Sequence, residues 1–364
     1  MCIRDRFLYR GRVISVPTEY NATARTGHPT SYATWGGTWK KEWTQNPAWI
    51  VYDFITNKKY GLGNEINLTS AQRQSLLEDL FLIGHYCDEL VTTNGVTGVR
   101  FSTNTVIMDG TKLQILQQLC SVFFGSVVFH NGGIRIAYDR LNTTTKLLVN
   151  QANAGSFDKT LSSSKNFINK VRLSYIEPAN FYTEEVVIAE DTVAVATYGE
   201  RVADMISFGC TDVNQAMRYA EWILNTEIEN SVSISYTGGL DHYNLLPGDL
   251  VEFYDSNERN IRRAGRIVSQ TGVYVILDAP IASVTGDYFS LTLANGAIHQ
   301  TTIAAISGTN VTLTAAPSSA ANPNATFISA SASLGRRYYK VIKVDETSNS
   351  KFNITLQLYS TDKY

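Results

Sequence analysis

The sequence predicts an α+β, β-rich fold with several domains. Its 364 residues are more than one ordinary hydrophobic core accommodates. A few segments repeat apolar residues at the helical period of about 3.6 residues. In contrast, residues 231–364 consist almost entirely of short runs that alternate apolar and polar side chains. Short strands separated by regularly spaced turn residues are typical of small barrels and sandwiches.

Helices are predicted where an apolar period follows a residue that can cap a first turn. The short segment Ala48–Thr56 has Pro47 in its first turn, a position that proline favours. The longer helices open on Thr, Asp or Ser side chains. Their start signals are Thr69-Ser70 with Gln72, Asp109-Gly110-Thr111, and Asp212 with Gln215.

Strands are predicted on both sides of Asn131-Gly132-Gly133, a hairpin signal. Further strands are predicted at Val171–Tyr175 and Val186–Ala189. Pro247-Gly248 indicates a tight turn, which Asp249 can close by accepting a hydrogen bond from a nearby backbone amide. This Asp is therefore interpreted as a turn residue rather than a catalytic one.

One part of the β-rich region differs in composition from its flanks. Gly265–Leu334 is rich in Ala, Ser and Thr and has few charges, whereas Leu250–Tyr254 and Tyr338–Val344 are more aromatic and more charged. The pattern predicts a small OB-like or SH3-like β-barrel inserted between two strands of a parent sheet. Closure into a barrel removes exposed sheet edges.

The predicted organisation has four parts. They are an N-terminal arm or connector (1–60), a helix-containing α+β domain (61–145), a β-rich domain with one long helix (146–264 plus 337–364), and the inserted barrel (265–336). Met1–Arg6 look like translated sequencing adapter and are expected to be non-native.

Composition argues against several classes of partner. The formal net charge is −2, whereas nucleic-acid binding requires a basic face, so none is predicted. No apolar run approaches the length of a bilayer-spanning helix, and stable membrane insertion is not expected. Cys87, Cys120 and Cys210 are far apart and lack CxxC spacing. They are interpreted as buried free thiols rather than as a zinc site or disulfides.

No catalytic residue, metal site or cofactor is predicted, and the chain is not expected to be an enzyme. The histidines form neither HExxH nor a pair at helical spacing; they are His28, His85, His130, His242 and His299. Adjacent carboxylates point in different directions along a strand or helix, so they are interpreted as solvated surface charge. These pairs are Asp88-Glu89, Glu184-Glu185 and Asp345-Glu346.

Aromatic residues are concentrated before and within Asn46–Gly63. Trp35, Trp39 and Trp43 recur every four residues, but Gly36 and Gly37 intervene and favour an extended arm over a helix. A sugar-stacking platform is the weaker alternative. Aromatic side chains are enriched in interfaces. The interface candidates are Trp35, Trp39, Trp43, Trp49 and Tyr52.

Several further segments follow one another along the chain. They are Trp35-Gly36-Gly37, Asn46–Gly63, Tyr86–Leu90, Leu113–Gly125 with its hairpin, Val171–Pro178, Tyr198-Gly199, Phe208–Thr211 with its helix, Pro247–Leu250 and Tyr359–Tyr364. In kind and order these segments resemble those of the host-specificity protein J family, the tail-tip hub proteins of lambda-like phages. Together they cover nearly the whole chain after Arg6. The chain resembles an internal fragment of such a protein.

The resemblance implies a homotrimeric hub in the virion that closes the distal end of the tail tube. Its β-domains would be similar to those of the baseplate hubs of contractile phages. Its partners would be other tail-tip and tail-tube proteins, and it would take part in host attachment and DNA-ejection signalling. The resemblance implies receptor contact only through C-terminal regions absent here. The alternatives of another class are a carbohydrate-binding module and a tail-associated hydrolase.

Overall fold

The computed structural model describes residues 11–107, 109–130, 132–161, 167–229, 232–257, 260–347 and 350–361. They form two compact units. The first unit comprises the described residues up to Asp139 together with Ile168–Leu224, and the second comprises those of Arg140–Phe167 and Asn225–Tyr364. The division into four parts stays a prediction. Three parts of the sequence predictions lie outside the described residues. They are Met1–Arg6, Asn131 of the hairpin signal and the last residues of Tyr359–Tyr364.

The bounds of the elements follow the chain from end to end. The α-helices are α1 Pro47–Thr56, α2 Ser70–Asp88, α3 Lys112–Ser121, α4 Thr192–Tyr198 and α5 Val213–Glu229. The strands of the first unit are β1 Ile14–Pro17, β2 Trp39–Glu42, β3 Leu90–Thr93, β4 Val96–Val99, β5 Gly125–His130, β6 Gly133–Tyr138, β9 Lys170–Glu177, β10 Thr183–Glu190 and β11 Val202–Ile206. The strands of the second unit are β7 Thr145–Val149, β8 Asp158–Leu161, β12 Val232–Gly238, β13 Leu250–Phe253, β14 Ala264–Thr271, β15 Tyr274–Leu277, β16 Tyr288–Thr292, β17 Ile298–Ser307, β18 Asn310–Leu313, β19 Thr326–Ala330, β20 Tyr338–Thr347 and β21 Lys351–Leu358.

The predicted helix starts are confirmed. At α2, the Thr69 hydroxyl accepts from the Gln72 amide while the Gln72 side chain accepts from the Thr69 amide, which completes a capping box. Thr111 and Gln114 make the same reciprocal pair at α3. The backbone amides of a first turn have no partner inside the helix, so these side chains satisfy donors that would otherwise need water.

The first unit packs its helices around an aromatic core. Trp49 of α1, Phe81 of α2 and Phe123 after α3 are fully buried, as is Tyr20 of the N-terminal segment. The antiparallel pairs β1–β2 and β5–β6 contribute side chains to this core, and β3–β4 forms a further antiparallel pair. A separate sheet has the order β10-β9-β11, in which β10 pairs antiparallel and β11 parallel to β9.

The second unit contains a six-stranded sheet in the order β7-β13-β20-β21-β12-β8 and a closed barrel in the order β14-β15-β18-β17-β16-β19. All the barrel strands lie in the chain between β13 and β20, which pair directly with each other. The predicted fold class, with an inserted small barrel, is therefore confirmed, and the barrel has six strands. The turn before β13 also forms as predicted, since the Leu246 amide donates to the Asp249 carboxylate at 2.9 Å.

A carboxylate is buried where the barrel meets its parent sheet. Glu252 of β13 is 1% exposed. Its Oε2 accepts hydrogen bonds from Ser290 Oγ of β16 at 2.7 Å and from Gln300 Nε2 of β17 at 3.2 Å. Burial raises the pKa of Glu252 to about 7, although the Ser290 hydrogen bond and the nearby Arg336 charge partly offset this. The same Gln300 nitrogen also lies near Thr145 and Tyr338 of the parent sheet.

Glu252→Gln is expected to remove a pH dependence from the stability of the second unit. Because the folded pKa lies above the ordinary value of 4.5, the stability due to Glu252 is fully present below pH 4.5 and is lost as pH rises through about 7. Over that range the wild type should lose up to about 3 kcal/mol relative to the variant. Urea unfolding at pH 5 and pH 8 measures this difference. Glu346→Gln, at an exposed carboxylate, is the control, and parallel pH profiles for wild type and Glu252→Gln would contradict the prediction.

Candidate functional site

The predicted aromatic residues are placed around α1. Trp49 has no exposed surface and Tyr52 is 5% exposed, so both contribute to the core. The Trp39 ring stacks on Tyr52 at 4.6 Å, and Trp35 meets the ring of Trp39 edge-on at 5.0 Å. Trp39 begins strand β2, which confirms the extended interpretation at that position. Trp43 is partly buried and also makes contacts.

A subunit-contact role for these five residues stays a prediction. The complete burial of Trp49 favours a core role for that side chain. Trp35, Trp39 and Trp43 are partly buried and retain surface that a partner could cover.

The Asn46–Gly63 segment is shaped by close backbone packing. Asn46 caps α1 by accepting from the Ala48 amide, and its own amide group donates to the Gly84 carbonyl of α2 at 2.9 Å. A Cβ on Gly61 would lie 1.8 Å from the Phe54 carbonyl oxygen. Only glycine allows the chain to fold back against the end of α1 in this way. The prediction that backbone geometry explains the glycines here is confirmed.

A buried carboxylate fastens the N-terminal arm, residues 11–45, to the end of α2. Asp88 accepts from Arg25 Nε at 2.5 Å and from the Tyr20 hydroxyl at 2.8 Å, and His28 Nε2 lies 3.0 Å away. The Asp88 side chain is 2% exposed. We call Asp88, Arg25, Tyr20 and His28 the arm clamp.

The interpretation of Asp88-Glu89 as solvated surface charge is wrong for Asp88. Glu89, the next residue, has a side chain that is 40% exposed and pairs with Arg100 at 2.9 Å. Asp88 instead faces the arm, whose donors replace water around its oxygens. Those donors come from residues 60 to 68 positions earlier in the chain, so no local pattern could indicate them.

The arm clamp keeps Asp88 ionised. Burial by itself would raise its pKa, but the hydrogen bond from His28 and the charge of Arg25 outweigh burial, so the pKa of Asp88 is lowered. Arg25 also donates to the Phe101 carbonyl at 2.9 Å. A carboxylate that accepts several donors, one of them cationic, is well stabilised in its charged form.

The Asp88–His28 pair is structural rather than catalytic. His28 Nδ1 is buried and has no hydrogen-bond partner among the described residues. A Cβ on Gly84 would approach that nitrogen to 3.1 Å, so there is no space beside it for a substrate. A general base must reach the proton that it abstracts, and the packing around this ring prevents that.

One more of the family-like motifs, the helix that follows Phe208–Thr211, meets the same region. Gln215 of α5 accepts from the Ser102 amide at 2.9 Å and donates to the Ser102 carbonyl at 3.0 Å. Arg218 donates to the carbonyls of Val99 and Arg100. The segment after β4 is thus fixed between the end of α2 and the start of α5. Motifs that are distant in sequence therefore converge on one structural junction.

The β10-β9-β11 sheet presents to solvent a face that carries exposed apolar side chains beside the Arg172–Asp204 ion pair. In the observed register, Val186 and Ile206 flank Ser174, while Ile188 and Asp204 flank Arg172. Ile206 is 81% exposed and Val186 is 54% exposed. The opposite face is buried through Val171, Leu173, Tyr175 and Ala189. Exposed apolar surface of this kind often marks a contact with another protein.

Groups suited to metal binding are not assembled in the described part of the chain. No cluster of three or more His, Cys, Asp or Glu that could hold a metal occurs there. Cys87, Cys120 and Cys210 are buried free thiols, as predicted, and burial raises the pKa of each, to about 12 for Cys120. A helix long and apolar enough to cross a bilayer is likewise not found among the described residues.

Comparison with known proteins gives collinear matches. A family model described as a putative phage tail protein matches residues 113–269. Tip attachment protein J of Escherichia phage SECphi27 is 26% identical over 364 residues, which cover 97% of this chain and 30% of that protein. The J protein of Escherichia phage SECphi4 is 27% identical over 313 residues, which cover 84% of this chain and 27% of that protein. Over most of its length the chain is therefore similar to the J proteins of phage tails.

The J-like chain spans less than a third of either relative. Both relatives are named as tip attachment proteins. Solved structures with partial similarity include a chain of the native gene transfer agent virion (13% identity, 74% of this chain and 44% of that chain, TM-score 0.42). Another is a tail protein from Neisseria meningitidis MC58 (8% identity, 70% of this chain and 58% of that chain, TM-score 0.36).

Asp88→Asn is expected to destabilise the first unit by about 3 kcal/mol at pH 7, because it leaves Arg25 buried without its counter-charge. The adjacent Glu89→Gln is the matched control and should cost less than about 1 kcal/mol, since its ion pair is exposed. Denaturant unfolding followed by the fluorescence of buried Trp49 measures both. Since the pKa of Asp88 is lowered, its contribution is present above the ordinary value of 3.8 and is lost as pH falls below it. Equal losses in the two variants at pH 7 would argue against the arm clamp.

Gly61→Ala is expected to destabilise the first unit by about 2 kcal/mol or more, because the added methyl group overlaps the Phe54 carbonyl. Gly98→Ala in β4 is the control, since a Cβ there meets nothing within 4 Å. Thermal unfolding of both variants measures the difference. A Gly61→Ala protein as stable as wild type would show that the chain does not pack so closely after α1.

Proposed function

We propose that this J-like chain is part of the central hub of a phage tail tip and links the tail tube to the receptor-binding tip. The observation that carries the proposal is the match to tip attachment protein J over 97% of the chain. In this role the chain positions other proteins rather than transforming a substrate. Its direct partners would be further copies of itself, in a homotrimer, and neighbouring tail-tip and tube proteins.

The internal construction suits a part that transmits force. The arm clamp and the junction around Ser102 connect segments that are distant in sequence, so a displacement at one of them is carried to the others. Receptor engagement by distal regions would shift domain packing and so signal DNA ejection. Bistable packing of rigid elements is the usual physical basis for such relays.

A carbohydrate-binding module is less well supported. Such a module needs aromatic rings whose faces are open to a sugar. The Trp39 face is instead covered by Tyr52, and Trp35 packs edge-on against Phe81 at 5.7 Å.

Labelled electron microscopy tests the hub proposal. Gold-conjugated antibodies raised against this chain, applied to purified particles of the phage that encodes it, are expected to mark the distal end of the tail. Antibodies against the tail-tube protein serve as a position control along the shaft. Label confined to the head, to the tail shaft or to unassembled protein would refute the hub.

A further inference from the structure

The barrel packs on strand β7 of its parent sheet. Leu148 of β7 is fully buried and lies in one apolar cluster with Ile328 of β19. Asn150, the residue after β7, donates from Nδ2 to the Phe327 carbonyl of β19 at 3.1 Å. We call this contact between the barrel and the six-stranded sheet the seam. The carboxylate of Glu252 lies in the seam, because β13 provides it while β16 and β17 provide its hydrogen-bond donors.

The donors that Glu252 receives in the seam are neutral. Ser290 Oγ and Gln300 Nε2 both donate to its Oε2, at 2.7 Å and 3.2 Å. Two neutral donors do not replace the hydration that an ionised carboxylate loses on burial, so burial favours the protonated form. The seam is therefore more stable when Glu252 carries a proton than when it is ionised.

A nearby cation is directed at the barrel instead of at this carboxylate. The Arg336 guanidinium carbon lies 4.5 Å from the centre of the Tyr288 ring, and Nη2 donates to the Thr301 carbonyl at 3.0 Å. The Arg336 Nε is buried and has no hydrogen-bond partner among the described residues. The charge of Arg336 acts on Glu252, yet its Nη2 bond holds the barrel and one of its donors is unused.

A cleft of about 180 Å³ lies beside the seam. Glu252 and Phe253 of β13 line one part of it, and Leu334 and Arg337 of the segment that returns from β19 to β20 line another. Because the returning segment forms part of the wall, it has space to shift there. The same space admits water next to the seam.

Further charged or titratable groups lie on the elements packed against Glu252. His299 belongs to the residue type that ordinarily titrates near neutral pH. Its Nε2 lies 3.2 Å from the Ala315 carbonyl, within the barrel. His299 is therefore the group whose titration has to be separated from that of Glu252. Besides Arg336, the groups are Arg263 with its partner Asp287, Asp255, Arg337, Tyr338, Lys340 and His299.

We propose that Glu252 and Arg336 form a proton-controlled latch between the barrel and its parent sheet. While Glu252 is protonated the latch is closed, and Arg336 holds Tyr288 and Thr301 of the barrel. When the proton passes to solvent, the carboxylate attracts Arg336 and water, Arg336 gives up its two barrel contacts, and the seam opens at the cleft. Such a switch requires two arrangements that differ in their affinity for the proton. The latch belongs to a single chain and goes beyond the hub proposal, on which it does not depend.

Hydrogen–deuterium exchange of the full chain measures the opening of the seam. Exchange is followed by mass spectrometry at pH 6, 7, 8 and 9, and each rate is divided by the intrinsic rate at that pH. Because Glu252 has a pKa of about 7 in the closed seam against an ordinary value of 4.5, opening should be about tenfold more favourable at pH 8 than at pH 6. Peptides from β16 and from residues 331–337 should lose protection accordingly. Peptides from β15 and β18 are the reference inside the same barrel and should keep theirs.

Three variants separate the latch from an ordinary loss of structure. Glu252→Gln is expected to stay closed at every pH, because a neutral amide replaces the group that titrates. Arg336→Gln is expected to move the midpoint of the transition to higher pH, since the charge of Arg336 lowers the pKa of Glu252. Loss of a merely structural contact would weaken protection at every pH without moving that midpoint. His299→Gln is the matched control and should keep the wild-type pH profile.

Four results would overturn the latch. They are a wild-type seam that is equally protected at every pH, a pH dependence that persists in Glu252→Gln, one that disappears in His299→Gln, and a midpoint that does not move in Arg336→Gln. If Glu252→Gln does not fold, the midpoint of Arg336→Gln decides the question. A loss of protection that is equal in β15, β16 and β18 would also contradict the latch, because the whole barrel would then be unfolding instead of the seam opening.

Discussion

The buried charge of Asp88 is the constraint on which the first unit depends. A carboxylate with 2% of its side chain exposed is tolerable only if donors replace its lost hydration. The arm supplies them from Arg25, Tyr20 and His28. The arm therefore follows one path across the end of α2, and further along it Trp35 packs on Phe81 of α2 and Trp39 on Tyr52 of α1. The ionised Asp88 carboxylate thus constrains the path of the arm between Tyr20 and His28.

Sequence patterns spanning a few residues predicted the helix starts and turns. They could not indicate contacts between segments that lie far apart in the chain. Caps such as Thr69 with Gln72, and turns such as Pro247-Gly248, are decided by neighbours within a few residues, so the sequence reveals them directly. The barrel was predictable because its composition differs from its flanks. Asp88 was misassigned because its partners lie far away in the chain.

The two units satisfy buried polar groups in different ways. In the first, Asp88 stays ionised because a cation and further donors surround it. In the second, Glu252 receives neutral donors from Ser290 and Gln300, and its pKa rises to about 7. Asp88 therefore keeps its charge near neutral pH, whereas Glu252 changes its protonation there. Two chemically similar carboxylates thus differ in whether their protonation responds to pH near neutrality, because their buried partners differ.

The barrel leaves and re-enters its parent sheet at neighbouring points, since β13 and β20 pair through Leu250 with Lys340 and through Glu252 with Tyr338. The parent strands therefore hold their own register without help from the length of chain between them. A sheet built in this way can host inserts of other sizes, because closing a loop whose ends already touch adds little entropy cost. The β13–β20 pair is therefore an insertion point for an additional module. Tail proteins that share this sheet could diversify there by exchanging one small module for another while the surrounding framework keeps its shape.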